Sequence, residues 1–434
     1  MPIHSENWAY WHAGACDTAS ILDAYTTAVD NGLWKRWSRA LTQSSYYWAR
    51  HPKPPASYQD THADYSQFAT AIRSDPSITH VVQVGIGGSS LGPQALHDAL
   101  RRCVPLSEQR PAAFIANLDS DDFDSVIQTV PVETTLFIVV SKSGGTEETH
   151  VNLKRLVDRC GDSVYNRVVT ITSPGSPLDQ PNRYRRVFYL DKRTGGRFSG
   201  TSVVGGLLVS IALGTACWDA VLHGAYAMDQ HANRQDPGHN IPLAMALIWY
   251  NQRQQSEVQA IIPYTQSLDL FPNHLQQLIC ESNGKSVTHT GAPVTGPTAP
   301  VVFGQTGTLA QHAFFQLLHQ GTHPVPVTLI AVRHSQCTNR NQRDLMAHVI
   351  AQSAVFQQAN RPHTVLLTQQ LTPQAMGALW SLYEATTVFQ ACLWELNAFD
   401  QPGVELGKRI AQQVYSPDGE LDHYARQLRQ FIDS

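Results

Sequence analysis

The stretch THVVQVGIGGSSLGPQALHDALRR, residues 79–102, decides the fold class. It reads as a short β-branched strand, a glycine turn and then an amphipathic helix, which is the unit from which parallel sheets are wound. The unit recurs as AAFIANLDSDDFDSVIQTV (112–130), as TTLFIVVSKSGGTEETHVNLKRLVDR (134–159) and as NRVVTITSP (166–174). Continuous apolar strands alternating with helices predict a mostly parallel sheet covered on both faces. A second cycle follows. GGLLVSIALGTACWDAVLHGAYAMDQHA (205–232) and IPLAMALIWYNQ (241–252) read as helices, VQAIIPY (258–264) as a strand, and HLQQLIC (274–280) as a helix. PVVFGQTG (300–307) reads as strand and turn, TLAQHAFFQLLHQG (308–321) as a helix, PVPVTLIAV (324–332) as a strand, and MGALWSLYEATTVFQACLWEL (376–396) as a long helix.

Composition agrees with two α/β domains. A chain of 434 residues exceeds one ordinary core. With 15% charged residues, 42% hydrophobic residues and a net charge of −4, it lacks the basic excess of a nucleic-acid binder. Seven dispersed cysteines with no CxxC pair read as reduced thiols of a cytoplasmic protein. No basic region followed by an apolar run opens the sequence, and VVGGLLVSIALG (203–214) is too short to span a bilayer, so neither secretion nor a membrane is expected. The expected organisation is an N-terminal helical segment at 1–50, with a Pro- and Ser-containing connector starting at His51. A first domain at 51–205 and a second at 206–390 follow, and a C-terminal helical arm at 391–434 closes the chain.

Two loops fit anion binding at strand C-termini, VGIGGSSLG and SKSGGTEET. In the second, Ser141, Ser143 and Thr146 supply hydroxyls, and Gly144 and Gly145 allow close backbone approach. The first has three readings. It is a dinucleotide fingerprint with Ser90 where the third glycine belongs, a P-loop lacking the Gly-Lys-Ser ending, or a tight strand-to-helix turn. Lys142, at a helix start, is either a phosphate ligand or a solvated lysine. Arg197 in TGGRFSG is either a rigidly held cation or a surface arginine. Glu281 in ICESNGKS precedes Ser-Asn-Gly, a combination that favours turns, so it is expected at a helix end. It is either an idle carboxylate there or a base. His312 is alternatively an interior histidine. A metal site drawn from His312, His319, His323 and His334 matches no compact ligand spacing. Lys408, in DQPGVELGKRIAQQ, is three residues from Glu405 and fits an ordinary surface pair as well as a functional group.

Taken together, VGIGGSSLGP, SKSGGTEET, GGRFSGTSVVG, QQLICESNGK, TGTLAQHAFFQLLHQGT and FDQPGVELGK resemble the glucose-6-phosphate isomerase (phosphoglucose isomerase) family, in its motif order, over roughly residues 80 to 410. The resemblance implies two sugar-isomerase (SIS)-type three-layer α/β/α domains with parallel central sheets and a helical arm. It implies reversible, cofactor-free conversion of D-glucose 6-phosphate and D-fructose 6-phosphate in glycolysis and gluconeogenesis, without a metal. Carried over by motif, Gly88 and Ser89 lie by the sugar phosphate, and Ser141, Lys142, Ser143 and Thr146 form the main phosphate loop. Gln277 and Gln401 line the sugar. Glu281 moves the proton between C2 and C1, and Arg197 stabilises the enediolate. His312 and Lys408 assist ring opening, His312 being given across the interface of a homodimer. Three departures stand out. SKSGGT occupies the place of the commoner SKTFTT, Ser90 that of an aspartate, and Gln305 that of a glutamate. The alternatives are another phosphosugar isomerase, a non-catalytic sugar-phosphate-binding protein, and a nicotinamide-dependent oxidoreductase, which Ser90 disfavours.

Overall fold

The structure is a computed structural model describing residues 2–13, 18–55, 58, 62–336, 341–414, 416 and 421–434. The connector starting at His51 lies partly outside these, as do Cys16 and Cys337. Two compact units result, Met1–Ala398 and Phe399–Ser434.

The larger unit begins with strands β1 (Ile3–His4) and β2 (Ala9–Ala13), then helices α1 (Thr18–Asp30), α2 (Leu33–Gln43) and α3 (His62–Ser74). The first sheet is wound from β3 (His80–Val84), α4 (Leu91–Leu100), β4 (Ala112–Ile115), α5 (Ser120–Thr129), β5 (Thr135–Val140), α6 (Glu147–Cys160), β6 (Val168–Thr172) and β7 (Arg186–Tyr189). Its strand order is β4-β3-β5-β6-β7, all parallel. Strand β5, TLFIVV, is buried at all six positions, as a strand covered on both faces requires. Val82, Phe137 and Val139 form its core with Leu153 and Leu156 of α6.

Helices α7 (Val203–Leu213), α8 (Thr215–Ala232) and α9 (Ile241–Gln252) lead to β8 (Val258–Tyr264), α10 (Phe271–Asn283) and β9 (Val301–Gly304). Then come α11 (Gly307–Gln311), α12 (Phe315–Gln320), β10 (Val327–His334), α13 (Asn341–Gln358), β11 (His363–Gln370) and α14 (Pro373–Leu393). The second sheet runs β1-β2-β11-β10-β8-β9. Its last four strands are parallel, and β1 and β2 add an antiparallel edge. The α/β class with parallel sheets is therefore as expected.

Several local readings change. Residues 1–50 are not only helical, because β1 pairs with β2 and β2 pairs with β11, some 350 positions later, a partner no local pattern announces. The single helix read over 205–232 is two helices, since Gly214 sits at φ 99°, outside helical space. The helix read at 308–321 breaks after Gln311, leaving His312 at the end of α11. The short edge strand β7 and the polar-interrupted β11 are additional.

A 3-10 turn, Tyr46–Arg50, packs behind the segment 194–201. Ser45 Oγ lies 2.6 Å from Thr194 Oγ1, and the Tyr46 and Phe198 ring centroids are 5.1 Å apart. Arg50 Nη1 donates to Thr201 Oγ1 at 3.2 Å. Arg50 is wholly buried, bidentate to Asp229 at 2.5 and 2.7 Å and paired with Glu384. Removing one partner of such a buried group costs on the order of 3–5 kcal/mol, because a charge is left alone in low dielectric.

Two buried histidines are held neutral. His231 accepts the Ile241 N–H on Nε2 at 3.0 Å, and burial, helped by Arg234 and His239, lowers its pKa to about 4. His274, stacked on Trp380 at 3.8 Å, is lowered by burial to about 3. In the unfolded chain both take a proton near pH 6.5, so the unfolded state binds more protons below that value. Stability should be flat for these groups above pH 7 and fall below it. By pH 5 each should have removed about 2 kcal/mol. Urea unfolding at pH 7 and pH 5 measures this, and an unchanged unfolding free energy would contradict it.

Candidate active site

The strand order of the first sheet reverses between β3 and β5, since α4 leads from β3 to one side and α6 from β5 to the other. Polar loops at the C-terminal ends of these strands line the crevice such a reversal creates. After β3, the 3-10 turn Gly87–Ser89 follows. A Cβ on Gly88 would stand 2.1 Å from the Gly196 carbonyl and 2.6 Å from the Arg197 nitrogen. Only glycine lets this turn lie against the segment carrying Arg197. Gly87 has φ 58° and faces the Gln277 amide.

After β5, Ser141 Oγ lies 2.8 Å from Thr146 Oγ1 and accepts the Thr146 N–H at 3.4 Å. Ser143 Oγ accepts the Gly145 N–H at 3.2 Å. Gly144 has φ 63°, and a Cβ there would meet Ser176 Oγ at 2.6 Å, so both conformation and space call for glycine. Thr146 starts the 14-residue α6, whose unpaired N–H groups open onto the loop. Burial lowers the Lys142 pKa, Asp191 opposes this and the Arg197 cation adds to it. The loop and Arg197 therefore share one electrostatic environment.

Arg197 is 2% exposed. Its Nε donates to Ser282 Oγ at 2.6 Å, its Nη2 donates to the Ala398 carbonyl, and its Nη1 is 3.4 Å from Glu281 Oε1. The surface-arginine alternative is thus excluded. Glu281 Oε2 accepts from Gln277 Nε2 at 3.2 Å, one helical turn earlier on α10. One carboxylate oxygen thus faces a guanidinium and the other an amide, and about a quarter of the side chain remains open.

One expectation is corrected. Ser-Asn-Gly does not end the helix before Glu281, because α10 continues through Ser282 and Asn283 to Gly284. The polar side chains that ordinarily compete with helix are occupied elsewhere. Ser282 accepts from Arg197, and Asn283 Nδ2 donates to the Thr387 carbonyl at 3.1 Å. Lys285 Nζ then donates to the Ser282 carbonyl at 2.8 Å, covering the helix end. Glu281 is therefore held by a regular helical turn rather than by a loop.

The structure brings Gly88, Arg197, Gln277 and Glu281 into direct contact or one contact apart, with Ser89 in the same turn as Gly88. Ser141, Lys142, Ser143 and Thr146 form the adjoining loop. His312 is exposed at the end of α11 and makes no hydrogen bond to Arg197 or Glu281 among the described residues. Gln401 and Lys408 belong to the separate unit Phe399–Ser434, Gln401 just before the turn Pro402–Val404 and Lys408 in helix α15 (Glu405–Val414). Ser282 and Asp191 were not anticipated. Ser282 stood within ESNGK, but its turn propensity hid its role as an arginine anchor.

Two sugar-isomerase-type sheets, with polar loops gathered at a strand-order reversal, define the class. A sequence profile described as phosphoglucose isomerase matches residues 59–359 and 354–425. The chain is 42% identical over 363 residues to a glucose-6-phosphate isomerase of Desulfotalea psychrophila, covering 78% of this chain and 67% of that one. It is 41% identical over 381 residues to one from Treponema pallidum, covering 82% and 71%. A crystal structure of a glucose-6-phosphate isomerase from Chlamydia trachomatis superposes with a TM-score of 0.91 at 31% identity, covering 100% of this chain and 92% of that one. The chain belongs to the phosphoglucose isomerase family.

The Ser282 hydroxyl accepts the Arg197 Nε–H. Ser282→Ala should let the guanidinium rotate, lowering kcat about three- to ten-fold with KM within about two-fold, since one such bond contributes roughly 0.5–1.5 kcal/mol. Steady-state kinetics check this, and a change confined to KM would contradict it.

Proposed function

We propose that this protein interconverts D-glucose 6-phosphate and D-fructose 6-phosphate, opening the ring and passing a proton through a cis-enediolate, with Glu281 as the base. The observation that carries the reading is the Arg197–Glu281 pair beside the hydroxyl-rich loop at 141–146. Aldose–ketose exchange removes a proton from C2 and returns it to C1, so one carboxylate within reach of both carbons suffices. The electron pair released at C2 moves toward the carbonyl carbon, and the charge collects on oxygen. Arg197 stabilises that charge because it stays protonated and is already desolvated by burial. On return, the O2 hydroxyl proton passes to O1, the carbon proton leaves Glu281 for C1 and the carbonyl forms at C2, so the enzyme is unchanged.

In this reading Ser89, Ser141, Lys142, Ser143 and Thr146 hold the phosphate, and Gly88 lets the turn approach it. Remote binding of the phosphate orients the sugar over Glu281. Gln277 lines the sugar, which fits its buried Oε1, without a hydrogen-bond partner among the described residues and so available to a sugar hydroxyl. For Gln401 and Lys408 the reading keeps the roles the family motif FDQPGVELGK implies, sugar lining and ring opening. The exposure of His312 supports its donation to a neighbouring subunit's site, making the working unit a homodimer. Five free cysteines among the described residues support a reducing, cytoplasmic setting, and no helix among them is long and apolar enough to cross a membrane.

Solvent-isotope exchange tests the base. In deuterated water the native chain should exchange the C2 proton of glucose 6-phosphate, and Glu281→Gln should lower the rate by at least about a thousand-fold while retaining inhibition by phosphate. Equal exchange by both chains removes Glu281 from the role. Subunit mixing tests His312. Glu281→Gln and His312→Ala chains, each inactive alone, should regain about a quarter of native activity when refolded together. A hybrid dimer then holds one site with both native groups. Absence of any recovery, with hybrids demonstrated by size, places His312 within its own subunit.

A further inference from the structure

The second sheet repeats the topology that creates the catalytic crevice. From β8 the chain passes through α10 to β9 on one side, and from β10 through α13 to β11 on the other, so the order reverses between β8 and β10. A crevice at the C-terminal ends of those two strands is the geometric counterpart of the one beside Ser141. It exists as a cavity of about 770 Å³, roofed by the end of α4 and the turn after it. Thr265 and Ser267 follow β8, and Ser335 and Gln336 follow β10, repeating the hydroxyl-rich character of the first crevice.

Charge selects the occupant. Arg101, Arg102 and His334 line the cavity, together with amides and hydroxyls, and no carboxylate is among the described residues that line it. Arg102 Nη1 donates to Ser267 Oγ at 3.2 Å, which fixes one guanidinium across the opening. Arg101 has Asp98 at 3.8 Å on its own helix, so one of its faces is partly neutralised and Arg102 keeps its charge for the cavity. Asn341 and Gln342, the first described residues of the 18-residue α13, also line it. None of these residues is used by the isomerisation.

We infer that the crevice between β8 and β10 is a second anion site, taking a small phosphorylated molecule through Arg101 and Arg102. The guanidiniums supply paired charge-assisted hydrogen bonds, Thr265, Ser267 and Ser335 the neutral ones, and the apolar walls Val332 and Leu345 a carbon skeleton. The site is distinct from the loop at 141–146 and its existence does not depend on the reaction assigned there.

Calorimetric titration with inorganic pyrophosphate tests it on the full chain. The native protein should bind two equivalents. Arg101→Gln with Arg102→Gln should lose one of them, weakened by at least about ten-fold, with sugar-phosphate turnover and KM within about two-fold of native. Lys142→Met should lose the other and keep the one at Arg101 and Arg102. If the double variant fails to fold, Ser335→Asp, which puts a negative charge inside the crevice, should give the same selective loss. One equivalent in the native chain, abolished by Lys142→Met, would overturn the inference, as would two equivalents with unchanged affinity in the arginine variant. Retention of both by Lys142→Met, with loss of one in the arginine variant, would instead overturn the reading of the first loop and leave this one standing.

Discussion

The placement of Arg197 depends on a second buried guanidinium, that of Arg50. Arg50 is sealed between Asp229 of α8 and Glu384 of α14, and it reaches Thr201 at the end of the segment carrying Arg197. Three successive parts of that segment lean on one short turn, through Ser45, Tyr46 and Arg50. Trp380 extends the support. Its indole N–H donates to Glu384 at 3.1 Å, and its ring fills the space a Cβ on Gly200 would need. A single charged group thus ties helices of the second half of the chain to a loop of the first. Its large desolvation cost is offset only while all partners are in place.

Arg197 inherits this rigidity. A cation that stabilises charge helps most when it does not reorganise, and a buried guanidinium held by the Ser282 hydroxyl and the Ala398 carbonyl meets that condition. Two of its contacts are to groups that do not react, the Ser282 hydroxyl and the Ala398 carbonyl. Glu281 is only paired with it at 3.4 Å and stays partly open. The immobile partner is the electrostatic one, and the accessible partner is the carboxylate.

Much of the architecture was legible because apolar runs such as TLFIVV and VQAIIPY have few alternatives to a strand buried on both faces. The two glycine- and hydroxyl-rich loops after β3 and β5 were legible for a similar local reason, as these residues follow directly on those strands. What escaped was non-local. The pairing of Ala9–Ala13 with β11, the anchoring of Arg197 by Ser282, and the continuation of α10 through Ser-Asn all depend on partners far along the chain. Local propensity pointed the wrong way at Ser282 and Asn283. Their side chains compete with a helix only when nothing else engages them, and here Arg197 and the Thr387 carbonyl do. The break after Gln311 was hidden inside an apolar periodicity that runs on through both short helices.

The pairing of β2 with β11 also bears on how the chain is made. Trp8 buries its ring and donates to the Ala375 carbonyl, a contact between residues 367 positions apart. During synthesis the early segment has no strand to lie against until β11 has emerged, so its tryptophan and tyrosine side chains wait in solvent through most of translation. Once seated, the same segment covers what is otherwise an open edge of the parallel sheet, and its closing marks the completion of the second sheet. The earliest-made strands are therefore among the last to find their place, and the aggregation hazard of an uncovered sheet edge ends only when they do.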